Sequence, residues 1–126
     1  MKSIGGALFV TILLLVGVSA MSCKGKSNPA GPGPTADEVI QIAANAGSNS
    51  YVPSPDTVII GMKVAWHNSA GVTHTATADP GAPAVFNTGN VGNGGDSGVI
   101  TMSTAGTYNY HCSIHPTMTG RLVVLP

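Results

Sequence analysis

The chain has 126 residues, which is enough for one folded domain and too few for two. Its charges are few and balanced, with five basic and five acidic side chains, so it lacks the basic stripe that a nucleic-acid interface needs. Seventeen glycines and nine prolines, together with many Thr, Val and Ile residues, favour short strands and turns over helices. We therefore expect a small all-β protein that does not bind nucleic acid.

An apolar leader begins the chain. Lys2 is followed by an apolar run over residues 4–20 and then by small residues, the plan of a secretory signal peptide. Cys23 directly follows "AMS" and so resembles the cysteine of a bacterial lipoprotein cleavage box, with Ala20 standing where leucine is usual. We predict a lipoprotein-type signal peptide over residues 1–22 and a lipid on Cys23. Ordinary cleavage after Ala20 and an uncleaved anchor are the alternatives.

A segment rich in Pro, Gly and Ser joins this leader to the folded part. Residues 23–36, "CKGKSNPAGPGPTA", show no apolar period and have the composition of a flexible tether. We expect the folded domain to span residues 37–126. It should lie at the periplasmic or extracellular face of a bacterial membrane, anchored by lipid. A soluble periplasmic or secreted protein is the alternative if Cys23 carries no lipid.

Short apolar and β-branched segments, separated by turn residues, fill the rest of the chain. They are, in order, "EVIQIAA", "DTVII", "MKVAWHN", "VTHTATA", "VITMS", "TYNYHC" and "GRLVVL". A long Gly-, Pro- and Asn-rich stretch separates the fourth segment from the fifth, and we expect the fifth and sixth to pair around Ala105-Gly106. This spacing predicts an antiparallel β-sandwich or small barrel.

Cys112 has no disulfide partner once Cys23 is lipidated or removed. A lone thiol is prone to oxidation in an oxidising compartment. We therefore expect Cys112 to be an inert buried thiol, a catalytic nucleophile or a metal ligand. In "YNYHCSIHPTMTG", His115 and Met118 follow Cys112 at intervals of three residues. Strand alternation turns Cys112 inward with the two tyrosines before it and turns His111 outward. The loop can fold an imidazole and a thioether over the sulfur, which favours a metal site.

Thiolate, imidazole and thioether donors form a soft ligand set that selects copper, whereas structural zinc prefers more thiolates. One Cys, two His and a weak axial Met make up the blue-copper arrangement, so a second histidine is required. His67 should lie on the strand face opposite Trp66 and be exposed. Alternation in "VTHTATA" turns His74 inward and leaves Thr75 outside. His74 is therefore the better ligand.

The chain resembles the cupredoxins, the plastocyanin/azurin family of small blue copper proteins, over roughly residues 52–124. "GTYNYHCSIHPTMTGRLVV" is especially similar to amicyanin, which shares the short Cys-x-x-His-x-x-Met loop, and "VAWHN", "THTATAD" and "FNTG" resemble the segment around the family's first histidine ligand. The resemblance implies a Greek-key fold with one type 1 copper per chain. Its in-plane ligands are His74, Cys112 and His115, and its axial ligand is Met118.

The resemblance also implies a role for one neighbour of the ligands. Thr75 matches a family position whose side chain often ties the two ligand segments together, and a plain sheet threonine is the alternative. His111 is expected to be structural, with a minor possible role beside the copper thiolate. Trp66, Tyr108 and Tyr110 are expected to lie in the core.

A one-electron carrier that cycles between Cu(I) and Cu(II), and not an enzyme, is the function that the resemblance implies. We expect a monomer whose redox donor and acceptor dock briefly on an apolar patch around His115, formed by Ile114, Pro116 and residues 80–83. A copper-binding or copper-delivery lipoprotein without a redox partner is the alternative, although the tether lacks the runs of Met and His expected of one.

Overall fold

The computed structural model describes residues 35–126. This part of the chain forms β1 (Glu38–Ile42), one turn of 3-10 helix (Gly47–Asn49), β2 (Tyr51–Val52), β3 (Asp56–Ile59), β4 (Lys63–Asn68), β5 (Thr77–Ala78), β6 (Ile100–Thr101), β7 (Gly106–His111) and β8 (Thr119–Leu125). The predicted signal peptide, Cys23 and most of the predicted tether lie outside the described residues. Within residues 35–126, no helix has the length and apolarity needed to cross a membrane.

Two four-stranded sheets make up the fold, with strand orders β2-β1-β4-β6 and β3-β8-β7-β5. The all-β prediction is confirmed. The prediction of a purely antiparallel arrangement is wrong, because β1 runs parallel to β4 and β3 runs parallel to β8. The chain visits the opposite sheet between the two strands of each parallel pair, and the apolar pattern of a strand does not encode its direction after such a crossing.

The expected hairpin of "VITMS" and "TYNYHC" does not form. β6 pairs with β4 in the first sheet, whereas β7 pairs with β8 and β5 in the second. The chain crosses between the sheets at Ala105-Gly106, where Gly106 has a φ of 139°, a conformation that residues with a Cβ rarely adopt. The prediction of a pair is wrong, because Ala105-Gly106 belongs to a crossover between the sheets and not to a tight hairpin.

One hydrophobic core fills the space between the sheets. Trp66 of β4 stacks against Phe86 with ring centroids 5.3 Å apart, and Tyr110 of β7 meets Trp66 edge-on at 5.8 Å. Tyr108, Tyr110 and Cys112 are all buried, as the alternation of this strand predicts. The aromatic contacts therefore fix β7 and hold Cys112, which directly follows the strand, against the core.

The strand register gives the domain two ends. β7 ends where β8 begins, and the loop that connects them, from Cys112 to Met118, lies at what we call the ligand end. At the opposite end, which we call the far end, Ile59 of β3 pairs with Leu125 of β8. Six residue steps along β8 separate the two ends, a distance of about 20 Å at about 3.3 Å per residue.

Candidate metal centre

His74 lies in the connection between β4 and β5 and is fully buried. Its N–H donates to the carbonyl of Val91 at 3.1 Å, and the N–H of Val91 donates back at 2.8 Å. Asn68, the last residue of β4, donates through its side-chain amide to the carbonyls of Val72 and Val91, both at 2.7 Å. Two loop segments are thus held together around the imidazole, and this fixes the position of His74.

The other three predicted ligands come from the loop between β7 and β8. The N–H of Cys112 donates to the carbonyl of Met118 at 3.0 Å, and the N–H of Met118 donates to the carbonyl of His115 at 2.9 Å. These two hydrogen bonds close the loop on itself. Cys112 and Met118 are fully buried, whereas His115 is partly exposed.

Three side-chain donor atoms converge at this loop. Nδ1 of His74 lies 3.1 Å from Nδ1 of His115, and Sγ of Cys112 lies 3.7 Å and 3.8 Å from these two nitrogens. A metal bonded to nitrogen at about 2.0 Å and to sulfur at about 2.3 Å can bridge nitrogens up to about 4 Å apart and a sulfur–nitrogen pair up to about 4.3 Å apart. One ion can therefore bind all three side chains.

The charge state of His74 also suits a metal. Burial, with a further contribution from the neighbouring His115 imidazole, lowers the pKa of His74 below its ordinary value. A neutral imidazole is the form that donates a lone pair to a metal. His74 is thus kept in its ligating form at neutral pH.

Thr75 connects the two segments that carry the converging side chains. Its N–H donates to Sγ of Cys112 at 3.3 Å, and its Oγ1 accepts the N–H of Ser113 at 2.8 Å. Thr75 is buried, so the expectation that it lies outside is wrong, because the segment around it is not a regular strand. Thr75 thus occupies the connecting position that the resemblance to cupredoxins implied. Its N–H is placed to stabilise negative charge on the sulfur.

Tyr51, to which the sequence did not point, supports Thr75 through a hydrogen bond. The Tyr51 hydroxyl donates to the carbonyl of Thr75, and its ring packs edge-on against Tyr110 with centroids 4.8 Å apart. Burial, followed by the nearby Cys112, raises the pKa of the Tyr51 hydroxyl, which therefore stays protonated and donates. No sequence signal pointed to Tyr51, since "SYVPSP" has no strand pattern. Asn68 was also missed, although a polar residue ending an apolar strand beside a turn is a detectable signal.

The remaining two histidines lie outside this group of side chains. His67 Nδ1 is paired with Asp96 Oδ1 at 2.7 Å, and His111 Nδ1 is paired with Asp79 Oδ1. Both rings are only partly buried. Each histidine has a carboxylate partner of its own, which agrees with the structural role predicted for His111, whereas His67 is less exposed than predicted.

Residues 80–83 are not near His115. The N–H of Asp79 donates to the carbonyl of Asn109, and Pro83 packs against Gly106, the first residue of β7. The segment thus runs along β7 away from Cys112, and the expectation that it surrounds His115 is wrong. The stretch has no apolar period that could have indicated its direction. Exposed apolar side chains next to the ligands are instead Ile114 and Val72, at 47% and 54% exposure.

A family model described as copper binding proteins of the plastocyanin/azurin family matches residues 38–125. The chain belongs to this family. Plastocyanin from Scenedesmus fuscus is 30% identical over 86 residues, which cover 63% of this chain and 88% of that protein. Plastocyanin from Rumex obtusifolius is 28% identical over 85 residues, which cover 60% of this chain and 86% of that protein.

Solved structures agree with this assignment. A purple cupredoxin from Nitrosopumilus maritimus superposes with a TM-score of 0.61 at 25% identity, covering 70% of this chain and 99% of that one. A reduced Cu(I) form of an amicyanin variant gives 0.58 at 27% identity, covering 75% and 84%. A copper nitrite reductase from Thermus scotoductus gives 0.60 at 25% identity, but only 22% of that chain is covered. The predicted similarity to cupredoxins and amicyanin is confirmed, and the converging donors match a type 1 copper site.

Proposed function

We propose that this protein is a one-electron carrier that holds one type 1 copper on His74, Cys112 and His115, with Met118 as the axial ligand. The convergence of one thiolate and two imidazole nitrogens is the observation that carries the proposal. Copper bound there supplies one-electron chemistry between Cu(I) and Cu(II). Thiolate and thioether donors suit Cu(I), and imidazoles suit both states.

The chain contributes a rigid frame for these donors. Thr75 fixes the Cys112 sulfur to the His74 segment, and Asn68 fixes that segment to β4. Ligands held by hydrogen bonds from both sides need to move little when the charge of the centre changes, which lowers the reorganisation that accompanies electron transfer. His115 is the one nitrogen ligand with exposed surface, so we infer that partners dock there. A role as a carrier requires no substrate pocket beside the ligands, and we propose that the protein is not an enzyme.

The carrier function is tested by a redox titration. The full-length copper-loaded protein should accept and release one electron per chain reversibly, followed by its visible absorption in a spectroelectrochemical cell. Zinc-loaded protein is the control and should show no redox wave. If copper binds stoichiometrically but is lost from the protein during reduction and reoxidation, the result would contradict the carrier function. It would favour the alternative function of copper delivery.

Met118→Gln should retain copper and lower the reduction potential. An amide oxygen is a harder donor than a thioether and so favours Cu(II) over Cu(I). A tenfold gain in relative Cu(II) affinity corresponds to a decrease of about 59 mV for a one-electron couple, and we expect at least that shift. Met62→Gln is the matched control, since Met62 lies in the turn before β4 at the far end. Equal potentials for wild type and Met118→Gln would mean that Met118 is not an axial ligand.

Docking of the redox partner should depend only weakly on the salt concentration. The described residues carry only Lys63 and Arg121 against five acidic side chains, with no run of like charge. Strong electrostatic steering needs a patch of one sign, and its effect on association collapses as salt shortens the Debye length. We expect the rate of electron transfer to the physiological partner to change less than about threefold between about 0.05 and 0.5 M salt. A tenfold fall in a stopped-flow series would show that charge does the docking.

If partners dock through apolar contacts at the ligand end, the rate of electron transfer should be sensitive to a charge introduced there. Ile114→Asp should slow electron transfer to the partner by about tenfold or more, because the new carboxylate must be desolvated in the interface. The absorption of the copper site should remain. Val85→Asp is the control, since Val85 is exposed beside Thr101 and Ser103 and away from the ligand loop. Equal effects of the two variants on stopped-flow rates would contradict docking around His115.

We infer that a lipid on Cys23 anchors the protein to a membrane outside the cytoplasm. Native protein should fractionate with membranes and carry lipid mass on its N-terminal peptide. Cys23→Ala should appear in the soluble fraction or as an unprocessed precursor, whereas Ser27→Ala in the tether should behave as wild type. Wild-type protein that is entirely soluble and begins at Met21 would contradict the lipid anchor, as mass spectrometry of the intact chain would reveal.

A further inference from the structure

Three large apolar side chains remain exposed next to one another at the far end of the domain. Ile59, Ile60 and Leu125 are 54%, 44% and 45% exposed. Ile59 pairs with Leu125 across β3 and β8, and the N–H of Ile60 donates to the carbonyl of Leu125 at 2.9 Å. We call these three side chains the far-end patch. Exposed apolar side chains that cluster in this way mark interaction sites more often than scattered ones do.

The chain enters the folded domain at the same end. The N–H of Asp37 donates to the carbonyl of Lys63 at 2.7 Å, and the N–H of Lys63 donates to the Asp37 carboxylate at 2.8 Å. Lys63 begins β4 directly after the turn that follows β3, and the N–H of Met62 closes this turn on the carbonyl of Ile59 at 3.1 Å. The first residues of the domain therefore lie one turn from the far-end patch.

The length of the predicted tether sets how far this end can be from the anchor. Fourteen residues, 23–36, separate the domain from the end of the leader. Even when fully extended they span at most about 50 Å, so the far end stays within that distance of a membrane that holds Cys23. Because the protein is tethered, contact between the patch and the lipid is an intramolecular step with a high effective concentration. A small patch is therefore sufficient for this contact.

The charges around the patch allow such a contact. Lys63 is exposed beside it and is the sole lysine of the part of the chain that the structure describes. Its ammonium group can reach anionic headgroups, which attract basic side chains close to a bilayer. The carboxylates of Asp37, which accepts the backbone N–H of Lys63, and of Glu38, whose strand partner is Val64, lie at the same end and offset this positive charge. The patch thus presents apolar groups with charges of both signs at its border, so burial of the apolar groups carries the contact.

We propose that the far-end patch rests on the lipid surface to which the chain is anchored, an inference that depends on the proposed lipid on Cys23. The ligand end lies about 20 Å away along β8 and points away from the bilayer. His115 is then open to partners that arrive from the aqueous side. The patch and the docking surface are separate, so the protein can transfer electrons without leaving the membrane.

Paramagnetic relaxation in nanodiscs tests this orientation. Full-length lipidated protein in the diamagnetic Cu(I) form is bound to nanodiscs of phosphatidylcholine and phosphatidylglycerol that contain a gadolinium-chelating lipid. Backbone amides of Ile60, Gly61 and Leu125 should relax about tenfold faster or more than those of Ser113 and Ile114, given the separation of about 20 Å between the two ends. Ile59→Ser/Ile60→Ser should reduce this difference severalfold while the protein stays on the nanodisc, and an unchanged difference would show that the tether alone holds this end near the lipid.

The matched control is Val72→Ser, since Val72 is as exposed as Ile59 but lies at the ligand end. It should leave the relaxation pattern unchanged. Equal relaxation at both ends of anchored wild-type protein, or faster relaxation at the ligand end, would overturn the proposed contact while the lipid anchor stood. Protein that does not bind the nanodiscs at all would refute the anchor itself. Concentration-dependent dimers that need Ile59 and Ile60, detected by sedimentation in detergent, would assign the patch to a second copy instead.

Discussion

Cys112→Ser should lose the intense visible absorption of the copper-loaded protein completely. This absorption arises when a thiolate transfers charge to Cu(II), and a serine hydroxyl is a hard donor that stays protonated at neutral pH. Sγ of Cys112 lies beside both imidazole nitrogens, and Cys112 is the sole cysteine among the described residues, 35–126. Titration with Cu(II), followed by absorption spectroscopy, measures the effect.

Cys23→Ser is the control for this variant, because it removes the other cysteine of the chain. It should keep the full absorption, even though it would lose the proposed lipid. Visible absorption that survives in Cys112→Ser, or that disappears in Cys23→Ser, would contradict the placement of the copper beside Cys112.

Gly120→Ala should destabilise the domain strongly although it adds a single methyl group. Gly120 of β8 lies opposite Tyr110 of β7, and a Cβ at this position would fall onto the Tyr110 ring, far inside 3.0 Å. The ring is fully buried and cannot swing away freely, so overpacking should cost about 1–3 kcal/mol or more. For a domain of this size the melting temperature should fall by roughly 4–8 °C for each kcal/mol.

The same substitution should disturb the copper centre. Tyr110 packs against Tyr51, whose hydroxyl donates to the carbonyl of Thr75 beside the Cys112 sulfur. Displacement of the Tyr110 ring should therefore shift the absorption maximum as well as the melting curve measured by circular dichroism. Gly98→Ala is the control, because a Cβ there would meet nothing within 4 Å and Gly98 has no positive φ. Similar melting temperatures for Gly120→Ala and Gly98→Ala would contradict the close packing of Tyr110 on Gly120.

The sequence predicts the parts of this protein that local patterns encode. Tyr108, Tyr110 and Cys112 alternate along one strand, and all three are buried as alternation requires. The spacing of His115 and Met118 after Cys112 places them in one short loop, which the backbone closes on itself. These features depend on neighbours within a few residues, so one sequence is enough to recognise them.

Contacts between segments that lie far apart in the chain leave no recognisable pattern in the sequence. Thr75 was expected outside because its segment alternates like a strand, but bonds to Cys112 and Ser113 hold it in the interior. The parallel pairing of β1 with β4 and the course of residues 80–83 along β7 likewise result from packing between the sheets. Tyr51 supports the centre across 24 residues of sequence, a separation at which no periodic pattern gives a signal.

The most direct test of the copper site is the absorption spectrum of the full-length protein in detergent as Cu(II) is added. Binding of one Cu(II) per chain should produce an intense visible band from the Cys112 thiolate, because its sulfur and two imidazole nitrogens lie within reach of one ion. The band should saturate at one equivalent of copper. A protein that binds one Cu(II) per chain and stays colourless would contradict the assignment of a type 1 copper centre to His74, Cys112 and His115.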